Sequence, residues 1–88
     1  MPYRVTVKKK VERGLSDLPE GVQTKFWALV REMRLLGPMR GNWPNYSRLG
    51  SFTYHCHLSR DWVACWRWEK GTIEIEVYYA GSREDAPY

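Results

Sequence analysis

The sequence predicts a small α+β domain in the order β-α-α-β-β-β, with an αα-hairpin packed on one face of an antiparallel sheet. Three observations carry this. Apolar and polar residues alternate with period 2 near both ends of the chain, as in strands with one buried face. Between Val11 and Met33 the apolar period lengthens to that of helices. The stretch Tyr54 to Trp68, YHCHLSRDWVACWRW, reads as two strands joined by a polar turn, and it holds both histidines, both cysteines and three of the five tryptophans.

Taken in order, Tyr3, Val5 and Val7 alternate with Arg4, Thr6 and Lys8 as a first strand. The run Lys8-Lys9-Lys10 places that strand near a sheet edge, because such charges discourage edge pairing. The same lysines read equally as a solvated helix start or as phosphate contacts. Val11, Leu15 and Leu18 recur at helical spacing, giving a short amphipathic helix from about Lys9 to Leu18 that Pro19 ends and Gly14 weakens by about 1 kcal/mol. A stronger helix begins near Pro19 or Glu20, with Ser16 or Asp17 as candidate caps. Val22, Phe26, Leu29, Val30 and Met33 form its apolar stripe, and Gly37-Pro38 stops it. Two such helices need a flat apolar partner, and the sheet is the only one available.

Pro38 to Gly50 then reads as a long loop, a length that is usually functional or mobile. Arg40, Trp43, Tyr46 and Arg48 interleave charge with aromatic faces, which suits single-stranded RNA through stacking and phosphate contact. The plainer reading is a loop pinned to the sheet by Trp43 and Tyr46. Beyond it, Tyr54, Cys56 and Leu58 form an apolar row while His55 and His57 form the opposite one. The turn Ser59-Arg60-Asp61 lacks an Asn-Gly pair, so a loop of three to five residues is expected. A three-residue loop adds Trp62, Ala64, Trp66 and Trp68 to the core row and puts Val63, Cys65 and Arg67 beside the histidines. A slip of one residue reverses this. Glu69-Lys70-Gly71 is a turn, and Ile73, Ile75, Val77 and Tyr79 alternate with Glu74, Glu76 and Tyr78 as the last strand.

The chain of 88 residues forms one domain, residues 1–88, with five Trp, six Tyr and two Phe to pack it. Fourteen Lys and Arg against ten Asp and Glu give a net charge of +4, compatible with nucleic acid, an acidic partner or plain solubility. No apolar run reaches a membrane span, and none at the N-terminus suggests secretion, so a cytoplasmic protein with reduced thiols is expected. The two cysteines could be bridged only if the register set them opposite each other. No Cys or His spacing fits a structural zinc site. His55 and His57 with Glu76 could start a metal site, but no fourth ligand is evident, so neither a metal nor another cofactor is expected.

On the motifs YHCHL, DWVACWRW and YYAGSREDAPY, and on the order of elements, the chain resembles the RelE/ParE superfamily of type II toxin-antitoxin toxins, in particular RelE-like messenger RNA interferases. The resemblance implies that His55 and His57 match basic residues on the open face of the sheet, and that Arg83 and Tyr88 match the arginine and tyrosine that follow the last strand. The family arginine early in the third strand has no counterpart, since Val63 falls there; Arg60 or Arg67 would have to replace it. The implied reaction is metal-independent attack of a ribose 2′-hydroxyl on its own phosphate in mRNA, on the ribosome, inhibiting translation. One histidine would be base and the other acid or charge stabiliser, with Arg83 on the phosphate and Tyr88 stacking or donating a proton. Arg40, Arg48, Arg60, Arg67, Trp43 and Tyr46 are the candidate RNA contacts. An antitoxin protein is the implied partner. The alternative is a ParE-like inhibitor of DNA gyrase or an inactive relative that binds antitoxin. Surface histidines without chemistry are the plain reading of His55 and His57.

Overall fold

The computed structural model describes residues 2–88. Five strands, β1 (Arg4–Val7), β2 (Ser47–Arg48), β3 (Thr53–Ser59), β4 (Trp62–Trp68) and β5 (Glu74–Ser82), form one sheet in the order β1-β5-β4-β3-β2. Helices α1 (Lys9–Gly14) and α2 (Glu20–Leu36) intervene between β1 and β2. The sheet is antiparallel from β2 through β5, but β1 lies parallel to β5, so the whole is mixed. Alternation within a strand fixes which side chains are buried, not which strand lies beside it or in which direction. The chain leaves β1 at one edge, crosses the sheet through the helices to β2 at the other edge, and returns strand by strand to β1. With only two residues, β2 is too short to show a period, which is why it lies within the expected loop.

The short helix ends earlier than its apolar spacing suggests. Gly14 closes α1, and Leu15–Asp17 continue as one 3-10 turn. Neither Ser16 nor Asp17 caps α2: Pro19 occupies the cap position without a side-chain bond, and its carbonyl accepts from the amides of Val22 and Gln23. Gly37 ends α2 with φ 96° and ψ −175°, a region open almost only to glycine. A Cβ there would also lie 2.9 Å from the Tyr3 ring.

The predicted helix stripe, Val22, Phe26, Leu29, Val30 and Met33, packs on Tyr54, Cys56, Leu58, Ala64, Trp66, Ile75 and Val77. The β3–β4 reversal is a tight two-residue turn, Arg60-Asp61, rather than a longer loop. A bulge between His57 and Ser59 adds one residue, so the net register equals that of a three-residue loop and Tyr54 pairs with Trp66. Asn45 is the only described non-glycine residue with positive φ, so this turn is not of the primed type. A second bulge, between Cys65 and Trp66, sets Tyr79 opposite Cys65 and takes it out of the apolar row in which alternation puts it. Cys56 pairs with Ala64 and Cys65 with His55, so the two thiols lie on opposite faces and both are free.

Trp66 is fully buried and donates its indole N–H to the Pro38 carbonyl at 3.0 Å. It stacks with Tyr54 and Tyr46, each at 6.2 Å between centroids. Trp66→Phe strands the Pro38 carbonyl, an expected loss of about 1–3 kcal/mol in urea unfolding before any packing term. Gly37→Ala is expected to cost about 1–3 kcal/mol through backbone strain alone. An unchanged midpoint for either variant would show that the end of α2 is not held in this way.

Candidate active site

On the face away from the helices, His55 and His57 stand side by side on β3 with ring centroids 5.9 Å apart, the spacing that two residues of strand rise impose. They are not freely solvated. Their exposures are 8% and 9%, because the loop before β2 and the tail after β5 close over them. The loop runs along the edge of β3, where the Pro44 carbonyl accepts the His57 amide at 2.8 Å and Ser47 pairs with His55. Asn45 Nδ2 lies 3.3 Å from His57 Nδ1, and Ser47 Oγ lies 3.0 Å from His55 Nδ1. From the tail, the Tyr88 ring packs on His55 at 4.6 Å, while half of Tyr88 remains exposed.

Burial lowers the His55 pKa below 6.5. A backbone hydrogen bond to Ser47 pushes it up, and neighbouring His57 pushes it down again. His55 is therefore neutral at pH 7. Beneath the rings, Val63 and Cys65 are fully buried, and burial pushes the Cys65 thiol up to about 12, far from a thiolate. Burial likewise raises the Tyr88 phenol, against the nearby charge of Arg83, so it stays protonated.

Arg83 is half exposed at the end of β5. Its amide donates to the Asp61 carbonyl at 2.8 Å, and its guanidinium is 4.0 Å from the Asp61 carboxylate. Arg67 lies further along the same face, paired with Glu76 at 2.8 Å and 4.8 Å over the Tyr78 ring. Arg60 is exposed in the β3–β4 turn. Arg48 donates to the carbonyls of Gly50 and Ser51 and shares the side of Tyr54 by register. The other loop candidates gather elsewhere. Glu32 Oε1 accepts from Arg40 at 3.2 Å, Asn42 at 2.9 Å and Trp43 at 3.0 Å, and Tyr46 stacks under the helical layer. Arg40 Nε is buried without a hydrogen-bond partner. Together these contacts moor the loop to α2.

Neither Asn45 nor Ser47 is singled out by the sequence pattern. A faint signal was present: Asn45 and Ser47 flank Tyr46, so an extended loop edge sends them to the side opposite the aromatic one.

No family model matches the chain, and neither does any curated protein. Solved structures do. A chain of the archaeal RelE–RelB complex from Pyrococcus horikoshii OT3 superposes with a TM-score of 0.75 at 19% identity, covering 98% of this chain and 100% of that one. E. coli toxin RelE in the free state gives 0.74 at 15% identity, covering 98% and 88%. A chain of the toxin-antitoxin complex RelBE2 from Mycobacterium tuberculosis gives 0.53 at 18%, covering 94% and 100%. The chain thus has the RelE fold over almost its full length.

Hydrogen bonds from Asn42, Trp43 and Arg40 hold the Glu32 carboxyl below its ordinary 4.5 against the effect of burial. A depressed carboxylate stabilises the folded loop fully above the unfolded pKa and loses that contribution as pH falls through the folded one. Glu32→Ala is expected to speed hydrogen exchange at the Trp43 and His57 amides at pH 7. In wild type the same loosening should appear only below about pH 4.5. Equal protection in variant and wild type would show that Glu32 does not hold the loop.

Proposed function

We propose that this chain is the toxin of a type II toxin-antitoxin system and acts as a metal-independent endoribonuclease on mRNA at the ribosome. The observation that carries the reading is the pair of imidazoles 5.9 Å apart, one of them neutral at pH 7, with the Tyr88 phenol packed against it. The RelE fold supports it. His55 takes the proton of a ribose 2′-hydroxyl as that oxygen bonds to the adjacent phosphorus. The bond from phosphorus to the 5′-oxygen breaks, and the leaving oxygen takes a proton from His57 or Tyr88. The products are a 2′,3′-cyclic phosphate and a 5′-hydroxyl. Arg83 stabilises the charge of the phosphorane, and Arg60 and Arg67 offer further positive charge on the RNA path.

An antitoxin is the proposed partner. Leu35 and Leu36 at the end of α2, with Met39 just beyond, are all more than half exposed, an apolar surface that a second protein would cover.

Induced expression should arrest growth and produce new mRNA ends, read by end mapping. His55→Ala and His57→Ala at matched soluble levels should each lower cleavage on the order of 100-fold, the scale of general acid-base groups. Since the base works only when unprotonated, and burial lowers its pKa, the acid limb of the rate should fall below pH 6.5. Equal cleavage at the same positions by wild type and both variants would sink the assignment. Growth arrest without new ends would favour gyrase as the target.

A further inference from the structure

The loop reaches both imidazoles at the same ring nitrogen but with different chemistry. The amide nitrogen of Asn45 can only donate, so His57 Nδ1 must accept, and neutral His57 then carries its proton on Nε2. The Ser47 hydroxyl can donate or accept, so it leaves either tautomer open to His55. Neither Nε2 hydrogen-bonds to another described residue. Both rings keep some exposure, 8% for His55 and 9% for His57. The arrangement is built rather than incidental. Asn45 adopts φ 54°, a conformation asparagine tolerates, while the Pro44 carbonyl beside it binds the His57 amide and Glu32 anchors the loop behind it.

We infer that Asn45 is a positioning residue that holds His57 as the Nε2–H tautomer, a hydrogen-bond donor toward substrate, and so leaves His55 as the ring that presents a lone pair. For its catalytic consequence the inference rests on the ribonuclease reading. There, His55 takes the 2′-hydroxyl proton and His57 donates a hydrogen bond to a non-bridging phosphate oxygen without giving up its proton. The proton for the 5′-oxygen then comes from the Tyr88 phenol.

Long-range 1H–15N correlation spectra of the histidine side chains at neutral pH test this without any need for activity. Wild type should show His57 protonated at Nε2 and His55 at Nδ1. Asn45→Asp, which replaces the donor with an acceptor, should move the His57 proton to Nδ1. Asn45→Gly suits the backbone and should leave His57 a mixture of tautomers, with His55 unchanged in both variants. In RNA cleavage, Asn45→Asp should cost about 100-fold, as when one donor to a developing charge is lost. His57 protonated at Nδ1 in the wild type, or an unmoved tautomer in a folded Asn45→Asp, would overturn the inference. A wild type with the expected tautomers that cuts no RNA would overturn the ribonuclease reading and uphold the tautomer assignment.

Discussion

Most of what places the histidines depends on one buried polar atom, the indole nitrogen of Trp66. An N–H enclosed in an apolar core needs an acceptor, and among the described residues Trp66 finds it in the Pro38 carbonyl. That bond ties β4 to the second residue after α2 ends, and so fixes where the loop toward β2 departs. Glu32 secures the next few residues and the Tyr46 ring the ones after that. By Asn45 and Ser47 little freedom remains, and those two residues meet the imidazoles. The aromatic stack under the helices and the polar contacts on the far face are thus two ends of one loop.

Much of this was legible because periodicity assigns faces. The Tyr54, Cys56, Leu58 row lies under the helices as expected, and His55 and His57 lie on the opposite face. The tight Arg60-Asp61 turn was not legible, since a bulge at Leu58 gives the same register as the longer loop. Nor was the displacement of Tyr79, because a bulge leaves no mark in an alternating pattern. The partner of β1 was hidden for a different reason: it is a fact about distant segments. Glu32, an exposed-looking position on a helix, shows its role only when the loop folds back to it.

The two faces of the sheet illustrate how burial and polarity can be combined in a small domain. One face is apolar and covered by helices. The other covers Val63 and Cys65 with imidazoles, phenols and an ion pair, each held by a neighbour. Polar groups enclosed in this way need partners, and the partners restrict their geometry. The same enclosure that lowers the His55 pKa also stops the two rings from being interchangeable.

The parallel pairing of β1 with β5 has a consequence for the order of assembly. Arg4 finds its partner in Glu74, so the first strand cannot be zipped into place until nearly the whole chain exists. Closing so long a loop is entropically costly, and contacts between distant segments slow folding. Until then β1 has no partner strand, and charges such as the three lysines at positions 8–10 beside it discourage pairing with another chain. The last strand also carries Tyr78 and Tyr79 to the histidine face and leads into the tail bearing Arg83 and Tyr88. The half-made chain therefore lacks the phenols and the guanidinium that come to lie near the histidines, and they arrive only with the last strand and the tail.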